Sequence, residues 1–217
     1  FDAVRDRLQG VVFHVASQLV SDGIGTIEDT DIGARVGLRW AEGPFEMMNR
    51  LGVHEAFRLA RLLEQRYELK TPELLRARVK EGTRFPIHFV KSELKEGIAT
   101  LTINRPDAMN ALDPEVARQL DEHLTIAMGH PEVRGIVLGG AGKAFVAGAD
   151  VSFFVKNIEQ GNFDEIQRFA VFGHQLLEKI ERGPKPVVAR LDGLALGGGL
   201  ELALACDTIV ATDKASM

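Results

Sequence analysis

The sequence predicts an α/β domain of ββα units over residues 87–217, preceded by an all-α region over residues 1–80. Three observations carry this. Apolar residues recur at helical spacing through the first 80 positions, short apolar runs alternate with helical stretches after residue 87, and only 8 of the 22 glycines lie before residue 87. At 217 residues the chain is long enough for one large or two small domains with real cores.

In the first region, Val4, Leu8, Val11, Val12, Val15 and Leu19 fall on one helical face, which the pattern directs toward a packing partner. Thr26 ahead of Ile27-Glu28-Asp29 resembles a capping box and opens a second helix. Gly43-Pro44 puts proline at a first helical position, and Gly52 can end that helix. Val53, Ala56, Phe57, Ala60, Leu63 and Tyr67 form a further stripe, and Thr71-Pro72-Glu73 opens a last short helix. The stretch Lys80 to Pro86 carries glycine and proline and reads as a linker, placed at residues 81–86.

Strands are expected next. Phe89 to Leu94 and Ile98 to Ile103 flank the turn Lys95-Glu96-Gly97 as a hairpin. Asp113-Pro114 starts a helix with Val116, Leu120, Leu124 and Ala127 on one face, and Val133 to Leu138 fits a strand buried on both sides. The order then repeats: Asn162 can cap a helix, Pro186 to Leu191 is a strand, Gly199 to Ala205 a short helix, and Thr208 to Ala211 another strand. The path of Ser152 to Phe163 is left open.

Composition narrows the function. Lys plus Arg number 26 against 31 Asp plus Glu, and the surplus of acid lies in residues 87–217, which gives nucleic-acid binding a low prior. No apolar run approaches the length of a membrane span, so no membrane span is expected. The single cysteine, Cys206, allows no internal disulfide and no thiolate metal cluster; the chain therefore reads as cytoplasmic. Six histidines, at positions 14, 54, 88, 123, 130 and 174, show no ligand spacing, and no metal site is expected. Cys206 reads as a packed small hydrophobe, and the arginines and glutamates of the first region as a solvated, salt-bridged face with room for a CoA-phosphate contact.

Two glycine turns stand at strand ends, where α/β proteins place their chemistry. Gly139-Gly140-Ala141-Gly142-Lys143 is followed by Ala144 where a phosphate loop needs Ser or Thr. Gly197-Gly198-Gly199 lacks the spread spacing of a dinucleotide fingerprint. Three glycines at a helix start instead expose backbone N–H groups to developing negative charge. Glu201 follows in the first turn of an otherwise apolar helix. Two readings stand: a glutamate favoured by the helix dipole, or a buried carboxylate with a catalytic task, and its pairing with the glycines favours the second. Asp150 is expected to bind backbone N–H groups and hold its turn.

Four segments, Asn104 to Leu112 (NRPDAMNAL), Ala144 to Val151 (AFVAGADV), Lys185 to Ala189, and Leu196 to Asp207 (LGGGLELALACD), together resemble the crotonase, or enoyl-CoA hydratase, superfamily. The resemblance covers residues 87–217 and corresponds to the front half of a crotonase-like domain. It implies that the N–H groups of Ala149 and Gly198 form an oxyanion hole for a thioester oxygen, and that Glu201 is one of two catalytic glutamates. It further implies acyl-CoA contacts, largely through the backbone, from Ala108, Met109, Asn110, Ala147, Ala149, Asp150, Val151, Ser152, Gly197 and Gly198. The family's second glutamate falls in a later segment, so the chain is expected to be a fragment whose site is completed by the rest of the same polypeptide or by a companion chain, in a homo-oligomer.

Val20 to Gly52, with Ser21 to Asp31 followed by Gly37-Leu38-Arg39-Trp40-Ala41-Glu42-Gly43-Pro44-Phe45-Glu46, is similar to the C-terminal helical domain of 3-hydroxyacyl-CoA dehydrogenases. Together the two resemblances imply a fused bifunctional enzyme of fatty-acyl-CoA metabolism. A CoA thioester is its substrate, no cofactor is held in this chain, and NAD is used in an upstream domain. An isomerase using one glutamate and a noncatalytic acyl-CoA-binding or docking piece are the alternatives.

Overall fold

The computed structural model describes residues 2–217, in two compact units that divide between Ile87 and His88. The first is helical: α1 (Asp2–Ser21), α2 (Ile27–Leu38), α3 (Pro44–Leu51), α4 (Val53–Tyr67) and α5 (Glu73–Glu81). The predicted start signals are in place. Thr26 Oγ1 accepts from the Asp29 N–H at 3.0 Å while the Asp29 carboxylate accepts from the Thr26 N–H at 3.2 Å, and Pro44 is the first residue of α3.

The core of this unit joins Phe13, Phe45, Met48, Leu59, Leu75 and Phe85, all buried. Burying each such side chain contributes about 1.5–3 kcal/mol. The face that α1 turns inward differs from the expected one. Gly10, Phe13, Ala16 and Ser17 are buried, whereas Val4 and Leu8 are 64% and 62% exposed and Val11 and Val15 are exposed as well; of the expected stripe, Val12 packs against the core and Leu19 is half-buried. The reason is the close approach of α4: a Cβ on Gly10 would stand 2.4 Å from the Leu59 carbonyl oxygen. The small-residue face allows that approach, and the valine face does not.

The segment expected as a linker is docked. After α5 the chain is held by Asn49, whose side-chain amide donates to the Phe85 carbonyl at 2.9 Å and whose oxygen accepts the Phe85 N–H at 2.7 Å. The Phe85 ring meets Phe45 edge-on, with centroids 4.9 Å apart.

The second unit is α/β. Strands β1 (Val90–Lys95) and β2 (Ile98–Ile103) form the predicted antiparallel hairpin through Glu96-Gly97, both at positive φ, with Val90 opposite Ile103. Helix α6 (Pro114–Gly129) is capped by Asp113, which accepts the Val116 N–H at 2.8 Å. Next come β3 (Gly135–Gly140), β4 (Ala144–Val146), α7 (Val151–Glu159), α8 (Phe163–Glu181), β5 (Val187–Leu191), β6 (Leu194–Ala195), α9 (Gly198–Leu204) and β7 (Thr208–Ala211). The main sheet has the order β1-β2-β3-β5-β7, parallel from β2 onward, and β4 pairs with β6 in a separate two-stranded sheet. One sheet face, with Leu101, Ile103, Ile136, Leu138, Ala189 and Leu191, packs with Val116, Leu120 and Leu124 of α6 and Leu176 and Ile180 of α8.

Two local expectations change. Asn162 stands at the cap position of α8, but its side-chain amide donates to Gln160 at 3.1 Å and caps nothing. The stretch left open at Ser152 to Phe163 is mostly helix, because Asp150 accepts the Ser152 N–H and starts α7. No helix among the described residues is long and apolar enough to cross a membrane.

Candidate active site

Strands β4 and β6 run parallel, and each delivers a glycine turn at the same end. The Leu196 N–H donates to the Val146 carbonyl at 3.0 Å, which sets the two turns side by side. A Cβ on Gly197 would lie 3.9 Å from the Gly148 Cα, and one on Gly198 would lie 4.0 Å from the Ala149 nitrogen. Gly199 lets α9 sit directly on β4: a Cβ there would fall 2.0 Å from the Val146 oxygen, inside any permitted contact. The triple glycine is thus explained by packing and by the need to bring Gly198 to Ala149.

Ala149 is held from both sides. The Leu112 N–H donates to the Gly148 carbonyl at 2.9 Å, and the Asp150 N–H donates to the Leu112 carbonyl at 2.8 Å. The Ala149 N–H between them has no acceptor among the described residues, and the Gly198 N–H, first in α9, has none within its helix. Ala149, Gly198 and Glu201 all line one cleft of about 210 Å³, whose walls are Leu112, Phe154, Phe169, Leu177 and Leu202. His174 is the other titratable side chain on its lining.

Glu201 is not buried as expected: it is exposed on the cleft. Helix α9 buries Gly199, Leu202 and Ala203, while Glu201 and Leu204 are exposed. Cys206 is buried behind it. Its thiol donates to the Leu202 carbonyl at 3.3 Å, and burial pushes it up to about 12, far from thiolate chemistry.

The remaining predicted positions, Ala108, Met109, Asn110, Ala147, Asp150, Val151, Ser152 and Gly197, are not among the residues lining this cleft. Met109 and Asn110 take left-handed backbone conformations, and the Met109 carbonyl accepts the Ala147 N–H at 3.1 Å. Ala108 and Met109 are half-buried, whereas the Asn110 side chain is fully buried and committed to the backbone of Arg105, Ala141 and Ala144. Val151 and Ser152 are exposed at the start of α7. The Asp150 carboxylate accepts from the Ser152 N–H at 3.0 Å and from Arg105 at 3.0 Å. Partial burial opposes its charge, but the Ser152 hydroxyl, the Arg105 charge and the Ser152 N–H outweigh that and hold the carboxyl below the usual carboxylate range. Sequence reasoning missed Arg105. Its signal was the Asn-Arg-Pro triplet following β2, but its partners lie up to 45 residues away.

Residues 93–217 match the enoyl-CoA hydratase/isomerase family. Over 123 residues the chain is 40% identical to the short-chain-enoyl-CoA hydratase of Clostridium acetobutylicum, which covers 56% of this chain and 46% of that protein. It is 38% identical over 123 residues to the peroxisomal fatty acid beta-oxidation multifunctional protein of Oryza sativa subsp. japonica, covering 56% of this chain and 16% of that one. The crystal structure of enoyl-CoA hydratase from Bacillus anthracis superposes with a TM-score of 0.54 at 32% identity, covering 59% of this chain and 49% of the other. The chain spans about half the length of the Clostridium and Bacillus relatives. The match extends from within β1 over both glycine turns and the cleft between them, and the chain belongs to the enoyl-CoA hydratase/isomerase family.

Proposed function

We propose that the protein adds water reversibly across the double bond of a 2-enoyl-CoA, giving a 3-hydroxyacyl-CoA. The observation that carries this is that Ala149, whose N–H has no acceptor among the described residues, and Gly198 line one apolar cleft together with Glu201. Attack of water at C3 pushes charge onto the thioester oxygen. Two N–H donors aimed there stabilise the enolate more than the ground state, each by about 3–4 kcal/mol. Glu201 takes or delivers one of the protons that must move between water and C2, help of roughly 10²–10⁴-fold. Ala108, Met109, Ala147, Val151, Ser152 and Gly197 contact the CoA thioester mainly through their backbone.

Around this core we place a larger enzyme. The helical unit reads as the tail of an NAD-dependent 3-hydroxyacyl-CoA dehydrogenase, an assignment supported by its motifs between Val20 and Gly52 and by the likeness to a multifunctional protein. A second carboxylate comes from the rest of the polypeptide or from a companion chain, within a homo-oligomer. A second reading, an isomerase that shuttles a single proton with Glu201, is supported by the family match itself, which joins hydratases and isomerases.

The test is Glu201→Gln in the full-length protein with crotonyl-CoA in ¹⁸O-labelled water. Hydration predicts label in the product, a loss of turnover of roughly 10²–10⁴-fold in the variant and retained CoA binding. A shifted double bond without label selects the isomerase. Unchanged behaviour of the variant points to a docking role.

A further inference from the structure

Arg105 lies two residues beyond the end of β2, and its side chain is only 15% exposed. One nitrogen, Nη1, stands 3.0 Å from Asp150 Oδ2, 3.2 Å from Asp113 Oδ2 and 3.3 Å from the Ala111 carbonyl oxygen. The guanidinium lies 5.8 Å over the Phe89 ring, which fixes its plane from a further side. Both carboxylates are helix caps. The other oxygen of Asp113 accepts the Val116 N–H that begins α6, and the other oxygen of Asp150 accepts the Ser152 N–H that begins α7.

Leu112 runs between these two caps, and its N–H and carbonyl grip the residues on either side of Ala149. One cation therefore ties together the start of α6, the start of α7 and the short bridge that aims the Ala149 N–H. Without it, two poorly solvated carboxylates face each other with no neutralising charge, and they relieve the repulsion by moving apart. That movement pulls on Leu112 from one end and on Ala149 from the other.

We infer that Arg105 is a positioning residue for the Ala149 oxyanion donor, setting its aim through Asp113, Asp150 and the Leu112 bridge without touching substrate. This rests on the reading of Ala149 as a donor to the thioester oxygen. A hydrogen bond aimed at a forming oxyanion is sensitive to such a shift, since about 1 Å of misplacement costs roughly 10²-fold in rate. The effect falls on turnover, because the rest of the thioester is held by other backbone contacts.

The experiment measures turnover and the infrared stretch of a ¹³C-labelled thioester carbonyl bound to full-length wild type, R105Q, R105K and E201Q. Wild type lowers the stretch on binding. E201Q keeps that lowering while losing turnover, because it alters proton transfer and not the donors. R105Q loses most of the lowering and roughly 10²-fold in kcat, with KM changed less than about threefold, and R105K lies between. A purely structural Arg105 would reduce the folded fraction yet leave the stretch of bound ligand unchanged, and that result overturns the inference. If R105Q does not fold, R105K carries the test: a wild-type stretch in R105K overturns the inference equally. A wild type that neither lowers the stretch nor turns over overturns the hydratase reading itself, and the role of Arg105 with it.

Discussion

The Asp31 carboxylate accepts the N–H of Phe45 at 2.7 Å, so a side chain from the middle of α2 caps the start of α3. Its second oxygen accepts the Glu46 N–H at 3.1 Å. Helix α3 needs this external acceptor because Gly43, at its N-cap, has no side chain to offer. Glu46 closes the motif from the other direction, accepting the Gly43 N–H at 2.9 Å and pairing with Arg35 at 2.8 Å. The Gly-Pro-Phe-Glu turn is thus half of a two-part device whose other half is Asp31.

Asp31 is 1% exposed, and burial, outweighing its two backbone N–H donors, pushes its carboxyl up to about 6 from 3.8. The folded state therefore binds this proton more tightly than the unfolded one. Its contribution to stability is full below pH 3.8 and is lost as pH rises through about 6. Asp31→Asn removes the titration and turns an amide toward one of the N–H groups, at about 1–3 kcal/mol. Denaturant midpoints of wild type and variant, compared between pH 4 and 7, are expected to differ by an amount that changes by on the order of 2 kcal/mol across that range. A constant difference contradicts the assignment.

Asn110 is fully buried, accepts the Arg105 N–H at 2.9 Å and donates to the carbonyls of Ala141 and Ala144 at 2.9 and 2.8 Å. Asn110→Ala leaves three backbone groups without a partner, and the urea midpoint of the protein is expected to fall by the equivalent of about 3 kcal/mol. Asn110→Asp is no rescue, because a carboxylate oxygen would face two carbonyls. A drop under half that size would show that water takes the place of the amide.

Gly199→Ala drives a methyl group into the Val146 carbonyl. The expected result is a stability loss of about 1–3 kcal/mol together with displacement of Gly198 from Ala149. Hydration by the full-length variant should then fall more steeply than its folded fraction, and parallel loss of the two would argue against coupling between α9 packing and the donors.

The two faces of α1 give an internal comparison. Phe13→Ala empties a buried site and is expected to cost about 3–5 kcal/mol, whereas Val4→Ser and Leu8→Ser each stay within about 0.5 kcal/mol. Thermal midpoints of the three variants decide it, and a large loss at Val4 or Leu8 would restore the face that periodicity favours.

Local chemistry made much of this protein legible in its sequence. Thr26 and Asp113 announce helix starts, Glu96-Gly97 announces the hairpin, and Gly197-Gly198-Gly199 announces the start of α9, because each signal acts over a few residues of backbone. The segments from Asn104 to Asp207 carried the family for the same reason. What faces what was decided only by the tertiary structure. The valine stripe of α1 was misread because periodicity finds an apolar face without saying which neighbour comes close enough to cover it. Arg105 with Asp113 and Asp150, and Asp31 with Phe45, stayed hidden because a charge finds its partner through space, across 8 to 45 residues of chain.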